Sequence, residues 1–187
     1  MGIKIVIYFS ILFFLSELVL AIIKHSKKKE TKTKKDKKSL ALFWFTIPTS
    51  LTIGFFTANY QEWNRLNCSI AFFGLSIFMI GVFIRWISII QLNKEFTVDV
   101  VITEDHRLKK GGIYKNIRHP SYLGLLLICF GLSIAMNSLI SLIVVMVPIL
   151  LAIIYRIKVE EKILIKEFGE TYENYILKTH KIIPKLF

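Results

Sequence analysis

Of 187 residues, 54% are hydrophobic and the formal net charge is +12, with a mean hydropathy of +0.56. The charges cluster and the apolar residues run together, which excludes a disordered chain, a disulfide-stapled miniprotein and an ordinary soluble domain. The positive excess does not suit a nucleic-acid binder, because such a protein would not commit half its length to hydrocarbon-like runs. The sequence predicts one all-α domain over residues 1–187, an integral membrane helical bundle.

About 20 apolar residues are needed to cross roughly 30 Å of hydrocarbon. The first run, 3–23, carries Glu17 and has no small-x-small cleavage site, so it is predicted to be a retained span rather than a signal peptide. Residues 24–38 hold nine lysines against Glu30 and Asp36. A solvated topology determinant touching anionic lipid explains them better than a nucleic-acid site. The second span is predicted over 40–58. The loop after it, 59–67, has only Glu62 and Arg65 for charge. The third span is predicted over 68–90 and contains Arg85. Counted at about 1.5 Å per residue, Glu17 and Arg85 lie at similar depth, near 21 and 25 Å from the outer side. Either they pair or each snorkels to the inner interface.

From Pro120 to Tyr155 there is no charged residue. A single helix of that length would be about 54 Å long, too long for a bilayer. Asn137-Ser138 is the one polar, turn-forming pair near its middle, so the run is predicted to fold into a tight hairpin of spans 120–136 and 138–155. That gives five spans, with cytoplasmic C-terminal helices beyond them. The basic segments fall on one side if the N-terminus is outside and the C-terminus cytoplasmic. Cys68 and Cys129 lie inside apolar runs without a Cys-x-x-Cys spacing, which predicts structural thiols and no metal site. The C-terminal Pro184-Lys185-Leu186-Phe187 has no cysteine to prenylate.

A hairpin returns the chain to its starting side, with neighbouring helix axes about 8–10 Å apart. The predicted topology therefore brings His119–Tyr122 and Arg156–Glu161 together at the cytoplasmic surface, above a hydrocarbon floor. Gly111-Gly112 permits a turn or a close backbone approach. Pro120 suits the first position of a helix, and His119 precedes it beside the positive helix end. Tyr114 and Tyr122 offer π faces to a cation. Glu160 and Glu161 bring negative charge, and Arg156 is a rigid fork for a carboxylate. Such a mouth suits a reaction between a soluble reagent and a lipid-borne group.

At these residues the sequence resembles the isoprenylcysteine carboxyl methyltransferase family, over about 99–184. The first pattern is Gly112-Ile113-Tyr114 with Arg118-His119-Pro120-Ser121-Tyr122-Leu123-Gly124. The second is Arg156-Ile157-x-x-Glu160-Glu161, followed by Phe168-Gly169-Glu170-x-Tyr172-x-x-Tyr175 and Ile183-Pro184. The resemblance implies a multi-span enzyme that uses S-adenosylmethionine without a Rossmann fold. By this resemblance the methyl donor is contacted by His106, Arg107, Leu108, Lys109, Tyr114, His119, Pro120, Ser121, Tyr122 and Glu160. Arg156 engages the substrate carboxylate, and Arg156 and Glu161 are the catalytic candidates. Asp99 stands where family enzymes for prenylated proteins carry a glutamine, and it is left out of the site. The chain is short and rich in lysine and isoleucine like prokaryotic members, which implies a prokaryotic cell membrane and a lipophilic methyl acceptor.

An ionised carboxylate needs no general base to attack a sulfonium methyl, since its ordinary pKa is about 4. The alternative is methylation of a lipid amine or thiol, as in phospholipid N-methyltransferases, where His119 or Glu161 would serve as base. A nicotinamide-dependent, sterol-reductase-like enzyme and a lipid-binding scaffold organised by 24–38 are the remaining alternatives.

Overall fold

The computed structural model describes residues 2–23, 37–60, 68–92 and 108–183. Six α-helices follow in order: α1 Gly2–Ile23, α2 Lys37–Tyr60, α3 Cys68–Leu92, α4 Pro120–Ala135, α5 Leu139–Phe168 and α6 Glu170–Lys178. Within these, Ser39–Tyr60, Ser69–Leu92 and Leu139–Phe168 are long and apolar enough to cross a membrane, and Val6–Leu20 and Pro120–Ala135 are shorter apolar helices. Large apolar side chains point away from the bundle on four helices, among them Tyr8, Phe45, Phe72, Phe83 and Leu151. Water would not tolerate that surface, whereas lipid tails do. The protein is a multi-pass membrane protein.

The charge-free run breaks where the sequence places its turn. Helix α4 ends at Ala135, Asn137 takes a left-handed φ of 61°, and Ser138 caps α5 by accepting from the Ser141 amide at 3.3 Å. Asparagine is one of the few residues that enters this conformation readily. The second half of the hairpin differs from expectation at its far end. Its apolar stretch stops at Tyr155, but the helix continues to Phe168, 30 residues in all. No glycine or proline interrupts 149–168, and Gly169, with φ 49°, supplies the stop. Arg156 through Glu161 therefore stand on a direct continuation of the same helix.

Packing pairs α3 with α4 and α2 with α5 more closely than it pairs the two arms of the hairpin. Glycines explain the first contact. Gly74 and Gly81 on α3 face Gly124 and Gly131 on α4, and a Cβ at Gly81 would stand 2.6 Å from the Ile128 amide. Only glycine lets the two backbones approach this closely. Between α2 and α5, the Ser141 hydroxyl donates to the Gly54 carbonyl at 2.7 Å. The centre is filled by Leu125, Ile128, Cys129 and Leu132 of α4 against Val145, Ile149, Ile153 and Ile157 of α5, all essentially inaccessible. Cys129 is thus a core thiol.

Glu17 and Arg85 pair. The guanidinium lies 2.6 Å from each carboxylate oxygen, Nε to Oε1 and Nη2 to Oε2. The snorkelling alternative is overturned, because two adjacent charges inside apolar helices neutralise each other at less cost than either could reach water alone.

Candidate active site

The segment before α4 is shaped by a glycine. Gly112 opens a single 3-10 turn, Gly112–Lys115, with a φ of +64°. Its missing side chain leaves room for Gln91 at the end of α3, whose Oε1 accepts from the Ile113 amide at 2.9 Å. Tyr114 is thereby turned inward, buried, with its hydroxyl donating to the Ser88 carbonyl at 3.2 Å. Burial pushes this phenol well above the ordinary tyrosine range.

Helix α6 closes over that turn. The Tyr175 hydroxyl donates to the Tyr114 carbonyl at 2.5 Å, and burial pushes its pKa up to about 12. Beyond α6 the chain pairs in parallel with Ile117 through His180. The Arg118 and His119 amides donate to the carbonyls of His180 (2.8 Å) and Lys181 (2.9 Å), and the His180 amide to that of Asn116 (2.9 Å). Arg118 locks the junction. Its Nε meets Glu161 Oε1 at 3.0 Å, and its Nη1 donates to the carbonyls of Ile176 (3.1 Å) and Thr179. A shallow pocket of about 280 Å³ opens between Arg118, Ile176, Thr179, His180 and Lys181.

His119 is the residue before α4, and Pro120, buried, is the first of the helix. The His119 carbonyl accepts from the Tyr122 and Leu123 amides at 3.1 and 3.2 Å. Its ring turns toward α5, with Nε2 3.3 Å from Glu161 Oε1 and Nδ1 3.9 Å from Glu160 Oε2. One turn along, the Tyr122 hydroxyl donates to Glu160 Oε2 at 2.8 Å. Arg156 Nε reaches the same hydroxyl at 3.4 Å. The two polar clusters, 34 to 43 residues apart in sequence, do share one place.

The two glutamates occupy different environments. Successive helical residues point about 100° apart, so Glu161 faces Arg118, His119 and Lys181, whose Nζ lies 3.6 Å from Oε2. Glu160 has a neutral phenol as its hydrogen-bond partner and is more exposed, 29% against 11%. The Tyr172 hydroxyl is also notable. It is buried with no hydrogen-bond partner among the described residues, and its ionisation is opposed by burial and then by the nearby charges of Glu161 and Glu160.

Other sequence-designated residues fall in varied places. Ser121 is buried, and its hydroxyl and carbonyl both accept from Arg85 Nη1, at 3.0 and 3.1 Å. Leu108 is half-buried and Lys109 exposed. His106 and Arg107 lie outside the described residues, as do Asp99 and 24–36. Two partners of Arg156 come from α2 and carry no sequence signal. Its Nη1 donates to Ser39 Oγ at 2.7 Å, and its Cζ stands 5.6 Å over the Phe43 ring. Arg118 was visible within its motif but not as a hub, because its partners are mostly backbone carbonyls.

The chain has relatives among known proteins. The phospholipid methyltransferase family model matches residues 69–171. Protein-S-isoprenylcysteine O-methyltransferase B of Arabidopsis thaliana is 30% identical over 183 residues, covering 95% of this chain and 90% of that protein. A probable protein-S-isoprenylcysteine O-methyltransferase of Oryza sativa subsp. indica is 26% identical, covering 93% and 91%. A solved structure of the eukaryotic intramembrane Ras methyltransferase, isoprenylcysteine carboxyl methyltransferase, shares the fold with a TM-score of 0.59 at 22% identity. That likeness spans 79% of this chain and 51% of the solved one.

The fold and these relatives together define a multi-pass membrane methyltransferase. More narrowly, the chain belongs to the isoprenylcysteine carboxyl methyltransferase family, within the wider phospholipid methyltransferase group.

Proposed function

We propose that the protein transfers a methyl group from S-adenosylmethionine to the carboxylate of a lipophilic, isoprenylcysteine-like acceptor at the cytoplasmic membrane face. The single observation that carries this reading is Arg156. The residue is buried, 4% exposed, with its guanidinium held on Ser39 and Phe43 at the entrance of α2 and touching Tyr122 beside Glu160. A planar fork in a low-dielectric site binds a carboxylate in two parallel hydrogen bonds and fixes its plane.

The residues around it fit the methyl donor. Glu160, bonded to the Tyr122 phenol and more exposed than Glu161, offers acceptor oxygens to ribose hydroxyls or an amino-acid ammonium, and the Tyr172 hydroxyl, without a hydrogen-bond partner among the described residues, offers a buried donor nearby. His119 and Tyr122, with rings 5.7 Å apart, form an aromatic wall. Tyr114, Pro120 and Ser121 shape the backbone beneath it, and the 106–109 segment leads into the turn. When bound, the donor supplies an electrophilic sulfonium methyl. The protein's task is to bring the carboxylate within about 3–3.5 Å of that methyl in line and to exclude water.

The same arrangement argues against Glu161 as the base that an amine acceptor would need. Glu161 is saturated by Arg118, His119 and Lys181, and a carboxylate so held is a weak base. Its part is to hold His119 in place. In this reading α1 to α5 all span the bilayer, with the N-terminus outside and the C-terminus cytoplasmic, and the lipid tail enters laterally near Phe43.

The test is Arg156→Ala. Turnover falls by about 100-fold or more, while S-adenosylmethionine affinity by titration calorimetry stays within a few fold. Collapsed donor affinity with normal residual turnover would reverse the assigned roles. Product that releases methanol in alkali identifies a methyl ester, and alkali-stable product refutes a carboxylate acceptor.

A further inference from the structure

Arg85 reaches past its ion pair. Nε and Nη2 are used on the Glu17 carboxylate, and Nη1 donates to the carbonyl and hydroxyl of Ser121. The guanidinium thus ties three helices together: α1 through Glu17, α3 by its own backbone, and α4 at its second residue. Its side chain is 9% exposed, so no water is at hand to replace these bonds. Gly124, one residue past Tyr122's neighbour Leu123, lies flat against the Arg85 backbone, where a Cβ would stand 2.6 Å from the Arg85 amide nitrogen.

Ser121 immediately precedes Tyr122, whose hydroxyl sits 2.8 Å from Glu160 and 3.4 Å from Arg156. The first turn of α4 is therefore held from two sides. The 180–181 carbonyls hold Arg118 and His119 from the cap, and Arg85 holds Ser121 from within the bundle. We propose that the Glu17–Arg85 pair is a positioning device: Arg85, oriented by Glu17, fixes the first turn of α4 and with it the placement of Tyr122 between Glu160 and Arg156. This rests on the assignment of Tyr122 and Arg156 to the site. A misplacement of about 1 Å at reacting groups costs on the order of 100-fold in rate, so the device matters for turnover well beyond its part in folding.

The experiment uses the full chain in detergent with S-adenosylmethionine and N-acetyl-S-farnesylcysteine as probe acceptor. Two neutral pairs are compared, Glu17→Leu with Arg85→Met and Glu17→Leu with Arg85→Gln. Neither leaves an unpaired charge, so both are expected to fold with thermal midpoints near that of the parent protein. The glutamine amide is two atoms shorter than the guanidinium but keeps a neutral N–H donor directed toward the first turn of α4, and methionine has none. The expected result is a kcat about 10- to 100-fold lower for the Met pair, with the Gln pair about threefold or more faster than the Met pair and acceptor KM changing less than kcat in both. A purely structural role predicts equal kcat for the two pairs, and that result overturns the inference. Gly124→Ala provides a check that leaves both charges in place. By pushing the first turn of α4 off Arg85 it lowers kcat, and an unchanged kcat overturns the inference. Tyr122→Phe separates the two levels: if it leaves turnover intact, the site assignment itself fails. If it impairs turnover while the Met and Gln pairs match the parent, only the positioning role fails.

Discussion

Arg118→Ala tests how the cap is held on the bundle. The residue is 8% exposed, and its guanidinium satisfies the carbonyls of Ile176 and Thr179 together with Glu161 Oε1. Removing one partner of a buried pair costs about 3–5 kcal/mol, and each orphaned buried carbonyl about 1–3 kcal/mol. Two features reduce that sum. Lys181 stays 3.6 Å from the other Glu161 oxygen, and the pocket beside Arg118 admits water to the carbonyls. A net loss of about 3 kcal/mol in the docking of α6 remains, equivalent to roughly 100-fold faster opening. Hydrogen exchange of the Glu170–Lys178 amides in detergent measures it directly, with amides of α3 and α4 as internal reference. The helix should exchange about 100-fold faster while the reference is unchanged. Unaltered protection of α6 would show that Tyr175 and the 117–180 pairing suffice, and would refute Arg118 as the lock.

Two further predictions concern the same region. Gly112→Ala puts a Cβ into Gln91 at a positive φ, costs about 1–2 kcal/mol in backbone strain alone, and is expected to lower turnover about tenfold by shifting Tyr114. Gly111→Ala, in extended backbone with open space at its Cβ, should leave the rate alone, and equal effects of the two would refute the close-approach argument. Tyr175→Phe removes the bond to the Tyr114 carbonyl and should cost about 1 kcal/mol of α6 protection at neutral pH. Because the folded pKa is raised to about 12 from an ordinary value near 10, this contribution is fully present below pH 10 and is lost as pH rises through about 12. Exchange of α6 in the Phe variant should lack that alkaline step.

How much of this was legible in the sequence follows from which forces are local. Hydrophobic run length placed the helices, and the absence of charge over 120–155 forced a reversal that only Asn137-Ser138 could supply. Depth counting along two helices brought Glu17 level with Arg85, because helical rise is fixed whatever the neighbours. Topology alone then carried Tyr122 to Arg156 and His119 to Glu161. Packing decided the rest. That α3 lies against α4 depends on glycines at two positions on each helix whose fit appears only when the backbones meet. That Glu161 serves Arg118 and His119 while Glu160 faces Tyr122 depends on the rotation of α5, set by which of its side chains fill the core. Ser39 and Phe43 carry no pattern of their own and acquire a role only because α2 packs on α5. Local chain chemistry fixes where helices begin, end and reverse; which side chains meet across them is a property of their mutual rotation, and no single segment encodes it.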